Sequence, residues 1–144
     1  MSERMIELER IVDAPPDRVY RMWSDPDSMS QWLCYQVEGS LLPGARSVLV
    51  FPRRRIKIDV LEAEPDKRFK FRWLHVGDRE LATEVTVSLR AKGWGSVVAL
   101  MDGPYETDVP EALDEYARAI EIWSAGLTQL RATVDYSIDL RKER

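Results

Sequence analysis

The chain contains one cysteine, Cys34, and one histidine, His75. A thiolate nucleophile needs a neighbouring base or positive field to ionise near neutral pH. A Cys-His dyad could therefore only be this pair, which lies far apart in sequence. A lone cysteine more commonly packs as a small hydrophobe, and Cys34 is read that way. The same scarcity removes an intrachain disulfide, a thiolate cluster and a His-rich zinc set. Acid-base chemistry in an apolar pocket would need a positioned titratable group, and Arg10, His75, Glu84 and Asp102 are the candidates. Arg10 and His75 fall on the inward register of their segments, His75 next to the Val76-Gly77-Asp78 turn, whereas Glu84 points outward. There is no phosphate-cradling glycine loop, flavin motif or HExxH pattern. The sequence thus assigns no catalytic residue, no metal and no cofactor, and an enzyme is the less favoured reading.

The elements that must position these groups belong to a chain of 144 residues, the size of one domain spanning 1–144. The formal net charge of −4 argues against a nucleic-acid partner. Arg53-Arg54-Arg55 is the one dense basic cluster and is expected to be a solvated hairpin tip, because three successive residues cannot share one face of a strand. No apolar run approaches the ~20 residues of a membrane span. The first residues, Met1 to Glu7, lack the apolar stretch and cleavage site of a secretory signal, so the expected location is cytoplasmic.

Ile6, Leu8 and Val12 alternate with charged residues and predict a first strand to Ala14, with Arg10 on its apolar side. Pro15-Pro16 opens a short helix carrying Val19, Met22 and Trp23. Asp25 as N-cap and Pro26 start a second short helix, buried through Met29, Trp32 and Leu33. From Tyr35 to Asp102, strands alternate with turn signals at Leu42-Pro43-Gly44, Glu64-Pro65-Asp66-Lys67, Val76-Gly77-Asp78 and Lys92-Gly93-Trp94-Gly95. Ile56, Ile58 and Val60, then Phe69, Phe71 and Trp73, then Leu81, Val85, Val87 and Leu89 make one face apolar and leave the other solvated.

Leu113, Tyr116, Ile120, Trp123, Leu127, Leu130 and Val134 recur at steps of three and four, predicting one apolar face of a long helix from near Pro110. Only that helix is long enough to cover the sheet. The acidic stretch from Asp102 to Glu111 is expected to link the last strand to it. Glu111, Asp114 and Glu115 suit the positive end of its dipole.

Local words carry a family likeness in order along the chain: Asp13-Ala14-Pro15-Pro16; Val19 to Pro26 running on to Gln31-Trp32; Val60 to Pro65 before Phe69-Lys70-Phe71-Arg72-Trp73; Ile122 to Arg131; and Ser137-Ile138-Asp139-Leu140-Arg141. Together they resemble the activator of heat-shock-protein-90 ATPase-like family within the START and birch-pollen-allergen (SRPBCC) superfamily. The resemblance implies an α+β helix-grip fold: a curved antiparallel sheet with two short helices after the first strand and a long C-terminal helix on the concave face. It also implies that the first and last strands are neighbours, which would let Asp102 pair with Arg10. The chain departs from the family pattern at three places. Ile122 replaces the glycine before Trp123, Leu33-Cys34-Tyr35 replaces an aromatic-Gly-Pro after Trp32, and Val134-Asp135-Tyr136-Ser137 replaces Leu-Glu-x-Gly. The pocket mouth is therefore expected to be individual to this chain.

A sheet curled round a helix leaves an apolar cavity wherever the facing side chains do not meet. The candidate ligand-binding residues are Arg10, Ile58, Phe71, Trp73, Val85, Val87, Tyr116, Ile120 and Trp123. The same stripe would serve equally as packed core. The favoured function is a binding module for a hydrophobic small molecule or lipid-like metabolite. The alternatives are a chaperone-regulating or other protein-interaction domain, and a cyclase- or aromatase-like enzyme, because one scaffold hosts many functions.

Overall fold

The computed structural model describes residues 2–74 and 81–143. His75 and the Val76-Gly77-Asp78 turn lie outside the described residues, and with them any Cys34–His75 pairing. Among the described residues there are seven strands, period-two alternation being clearest in β3 to β6: β1 (Glu3–Val12), β2 (Gln36–Glu38), β3 (Arg46–Val50), β4 (Arg55–Glu64), β5 (Arg68–Leu74), β6 (Ala82–Lys92) and β7 (Gly95–Glu106). They form one curved antiparallel sheet in the order β1-β7-β6-β5-β4-β3-β2, so the first and last strands are indeed neighbours. Two short helices, α1 (Pro16–Ser24) and α2 (Pro26–Met29), follow β1, and α3 (Pro110–Tyr136) closes the fold before a short 3-10 turn, Leu140–Glu143. This is the α+β helix-grip arrangement. No helix among the described residues is long and apolar enough to cross a membrane.

Asp25 caps α2 as expected, accepting from the Ser28 backbone N–H at 3.0 Å. Trp32 follows α2 and donates its indole N–H to the Met22 carbonyl at 2.8 Å, locking the two short helices together. The concave face of the sheet carries Leu49, Ile56, Ile58, Val60, Phe69, Phe71, Trp73, Val85, Val87, Val98 and Leu100, all buried. Trp23 from α1 and Trp123 from α3 descend onto it, with 6.1 Å between their ring centroids.

Two expectations about the last third need correction. β7 does not end at Asp102 but runs on to Glu106, leaving only residues 107–109 as the link. The extension survives Pro104, which has no N–H, because the β1–β7 register shifts between Arg4 and Ile6, where a bulge spares the ladder that bond. The buried stripe of α3 follows the expected spacing from Trp123 onward, through Leu127, Leu130 and Val134. Over its first turns the stripe is centred one residue earlier, on Ala112, Glu115 and Ala119. Leu113 is 46% exposed, and Tyr116 and Ile120 are half-buried. Small alanines lie beneath the helix axis there and the larger side chains flank it, so apolar spacing alone misplaces the stripe.

Candidate functional site

An open cleft of about 600 Å³ lies on the flank of α3. Its floor is the segment after α2, where Trp32, Leu33, Cys34 and Tyr35 lead into β2. One wall is the β3–β4 turn with Phe51 and Pro52; the other is α3 from Glu121 to Gln129, with Ile122, Ala125 and Gly126 facing in. Gly126 permits the close approach, since a Cβ there would stand 3.2 Å from Leu33 Cδ1 and 3.5 Å from Trp32 Cζ3.

The far end is closed by the C-terminal segment, which two residues hold in place. Gln129 donates to the Ile138 carbonyl at 2.9 Å and accepts from the Leu140 backbone N–H at 2.8 Å. Arg141 donates to three carbonyls of the α2–β2 segment: Cys34 at 2.8 Å, Gln31 at 2.9 Å and Ser30 at 3.2 Å. It also pairs with Asp139 at 3.0 Å and stacks on the Tyr35 ring, 5.3 Å from its centroid. The cleft is thus mainly apolar, with a few fixed polar groups.

At its other end the cleft continues into a second hollow of about 590 Å³, sharing Tyr35, Phe51, Pro52, Glu121 and Ile122 and adding Arg53, Arg54 and Arg118. Here the structure corrects the reading of the basic cluster. Arg53 is solvated and Arg55 pairs with Glu38 on β2, but the Arg54 side chain turns inward to Glu115 at 3.0 Å. Glu115 also accepts from Arg118 at 2.9 Å and is only 7% exposed. It is therefore the acceptor for two guanidiniums as well as a negative charge near the start of α3.

Beneath α3 lies a buried polar network. Asp102 is 0% exposed in a cross-strand row otherwise made of Ile6, Val85, Phe71 and Val60. Its carboxylate accepts from the Thr83 hydroxyl at 2.6 Å, the Tyr105 hydroxyl at 2.6 Å and the Trp123 indole N–H at 3.0 Å. Such bonds let a carboxylate be buried. Burial first, and the adjacent Asp102 charge second, hold the Tyr105 phenol well above the usual tyrosine range. Burial likewise pushes the Cys34 thiol up to about 11, outweighing backbone hydrogen bonds and the Arg141 charge that act the other way. Cys34 behaves as the small buried hydrophobe expected, without thiolate character near neutral pH.

Of the nine residues read as ligand-binding, Ile58, Phe71, Trp73, Val85, Val87 and Trp123 come together in the interior, each 1% exposed or less. Trp123 stands 5.0 Å from Trp73 and 6.2 Å from Phe71 between ring centroids, so these rings meet one another. Tyr116 and Ile120 are half-buried beside them, Tyr116 edge-on to Tyr105 at 5.4 Å. Arg10 is not brought in. It is half-buried on β1 opposite Val98 and donates to its neighbour's carbonyl at Glu9. Asp102 faces Ile6 instead, four residues further along β1, about 13 Å at the strand rise. The proposed Arg10–Asp102 pair is thus replaced by the Thr83–Tyr105–Trp123 network. Glu84 faces outward and pairs with Lys70 at 3.1 Å. None of the nine lies on the walls of either hollow. The walls that sequence reasoning missed include Leu33, Cys34, Tyr35 and Ile122, which had been visible as departures from the family pattern.

A family model described as activator of Hsp90 ATPase homolog 1-like protein matches residues 13–135. No curated protein sequence matches the chain. Among solved structures, the protein MLL2253 from Mesorhizobium loti superposes with a TM-score of 0.81 at 20% identity, covering 94% of this chain and 99% of that one. The Aha1 dimer from Colwellia psychrerythraea gives 0.79 at 18% identity, covering 92% and 97%. CalU16 from Micromonospora echinospora gives 0.72 at 23% identity, covering 99% and 81%. At these identities the likeness is one of fold.

Proposed function

We propose, for a chain that belongs to the family of activator of Hsp90 ATPase homolog 1-like proteins, that it binds a hydrophobic small molecule in the open cleft beside α3. The observation that carries this reading is the cleft itself. Its size of about 600 Å³ and its walls of Trp32, Leu33, Tyr35, Phe51, Pro52 and Ile122 fit the dimensions and chemistry of small-molecule sites. Gln129 and Arg141 fix the backbone at the closed end, so the site is formed before a ligand arrives. The aromatic interior serves in this reading as the rigid support of α3.

A ligand that binds only the native state raises its stability, by ~2.7 kcal/mol at a hundred times its dissociation constant. A panel of fatty acids, sterols, polyketides and flavonoids is therefore expected to contain a compound that raises the melting temperature by several degrees. Ala125→Trp, which fills the cleft from an exposed position on α3, is expected to abolish that shift while leaving the unliganded protein folded. No shift with any compound overturns the binding reading. A shift that survives Ala125→Trp moves the ligand to another site, the sheet–helix interior being the first to examine.

A further inference from the structure

The second hollow differs from the first in charge. Its lining adds three guanidiniums, of Arg53, Arg54 and Arg118, to the shared apolar walls. Two carboxylates stand against them, Glu115 beneath and Glu121 at the junction of the two hollows, which leaves one net positive charge. That charge has free donors. Arg118 gives one amino group to Glu115, and the rest of its 59% exposed side chain has no acceptor among the described residues. Arg53 is exposed and makes no ion pair among them. Glu115, bonded to Arg54 as well, anchors the base of the cluster and holds Arg118 over the hollow as a positioning residue.

Resting on the binding reading above, we infer that the ligand is a monoanionic amphiphile: an apolar body in the trough of Leu33, Tyr35, Phe51 and Ile122, and a carboxylate at Arg118 and Arg53. A guanidinium with unused N–H groups is suited to a planar carboxylate, and such charge-assisted bonds are about twice as strong as neutral ones. One net positive charge matches a single negative one. Glu121, shared by both hollows, would repel the second charge of a phosphate monoester. The chemistry therefore selects a carboxylic acid over its alcohol on one side and over a dianion on the other.

Titration calorimetry with dodecanoate, dodecan-1-ol and dodecyl phosphate, each below its aggregation concentration, tests this. The wild type is expected to bind dodecanoate about tenfold more tightly than dodecan-1-ol and more tightly than dodecyl phosphate, with the acid preference shrinking as salt is added. In Arg53→Ala/Arg118→Ala the acid and the alcohol are expected to bind equally, at the wild-type affinity for the alcohol. Glu115 keeps Arg54 in that variant, so the fold is retained; an unchanged circular dichroism spectrum and melting curve check this. Equal binding of acid and alcohol by the wild type overturns the inference and leaves the binding reading standing. So does tighter binding of the phosphate. Failure of all three compounds to bind overturns the inference; the binding reading falls with it only where the wider panel of sterols, polyketides and flavonoids also gives no thermal shift.

Discussion

Trp123 on α3 donates its indole N–H to the Asp102 carboxylate on β7 at 3.0 Å, and both residues are completely buried. One side chain therefore serves two purposes. Its ring packs on Trp23, Phe71 and Trp73, and its polar edge satisfies a charge placed in an otherwise apolar row of the sheet. The long helix is held to the sheet at that point by packing and by a directional bond, which fixes its rotation.

Trp123→Ala is expected to destabilise the protein by about 3–5 kcal/mol, the usual cost of emptying a large aromatic site. Trp123→Phe keeps most of the ring and loses the N–H to Asp102, for a smaller cost of about 1–2 kcal/mol. Urea unfolding of both variants checks the order. A shift below about 1 kcal/mol for the alanine variant would mean that the helix does not pack as described.

Ser137 ends α3 in the left-handed conformation, φ 57°, with its N–H bonded to the Thr133 carbonyl at 3.1 Å. A residue with a Cβ pays about 1–2 kcal/mol to adopt that geometry and glycine does not. Ser137→Gly is expected to raise stability by about 0.5–1 kcal/mol, the gain being reduced by the freer unfolded chain. Equilibrium denaturation gives the answer; a loss of stability would mean that the serine side chain contributes something the backbone argument omits.

Arg141 reaches three backbone carbonyls at once, a task for a planar fork with several donors. Lysine can place only one point charge there. Arg141→Lys is therefore expected to release the C-terminal segment, seen as faster amide exchange over residues 137–143 and at the α2–β2 segment, with a global cost of about 1–2 kcal/mol. Exchange unchanged from the wild type would show that Gln129 alone retains the segment.

The architecture could be read from the sequence because its signals are local. Alternation in Phe69-Lys70-Phe71-Arg72-Trp73 and capping at Asp25 act within a few residues, and both reappear in the fold. What could not be read depends on distant partners. Arg54 looked like a solvated charge until α3 brought Glu115 over it. Leu113 looked buried because apolar spacing cannot distinguish a central alanine from a flanking leucine. Asp102 stands in the sequence as one of four candidate titratable groups with Arg10 as its implied partner, whereas its actual partners Thr83 and Tyr105 come from the pairing of β6 with β7 and from the continuation of β7 past Pro104. The cleft walls at Ile122 and at Leu33 to Tyr35 carried a signal only as unusual residues at family positions.

The Tyr105 phenol makes stability fall with pH at the alkaline end. Its folded pKa is raised, by burial and then by Asp102, while the unfolded chain titrates near the ordinary value of about 10. The stabilising contribution of the protonated phenol is complete below pH ~10. Above it, the unfolded state releases a proton that the native state keeps, so the unfolding free energy drops by up to about 1.4 kcal/mol per pH unit for this one group. Tyr105→Phe removes that proton from the balance. The variant is expected to be less stable than wild type at neutral pH, having lost the bond to Asp102, yet to decline less steeply between pH 10 and 12. Unfolding free energies measured by urea titration across that range should converge for the two proteins. Parallel curves would show that Tyr105 ionises in the native state as readily as in the unfolded one, and tyrosinate absorbance of the folded protein would then report it directly.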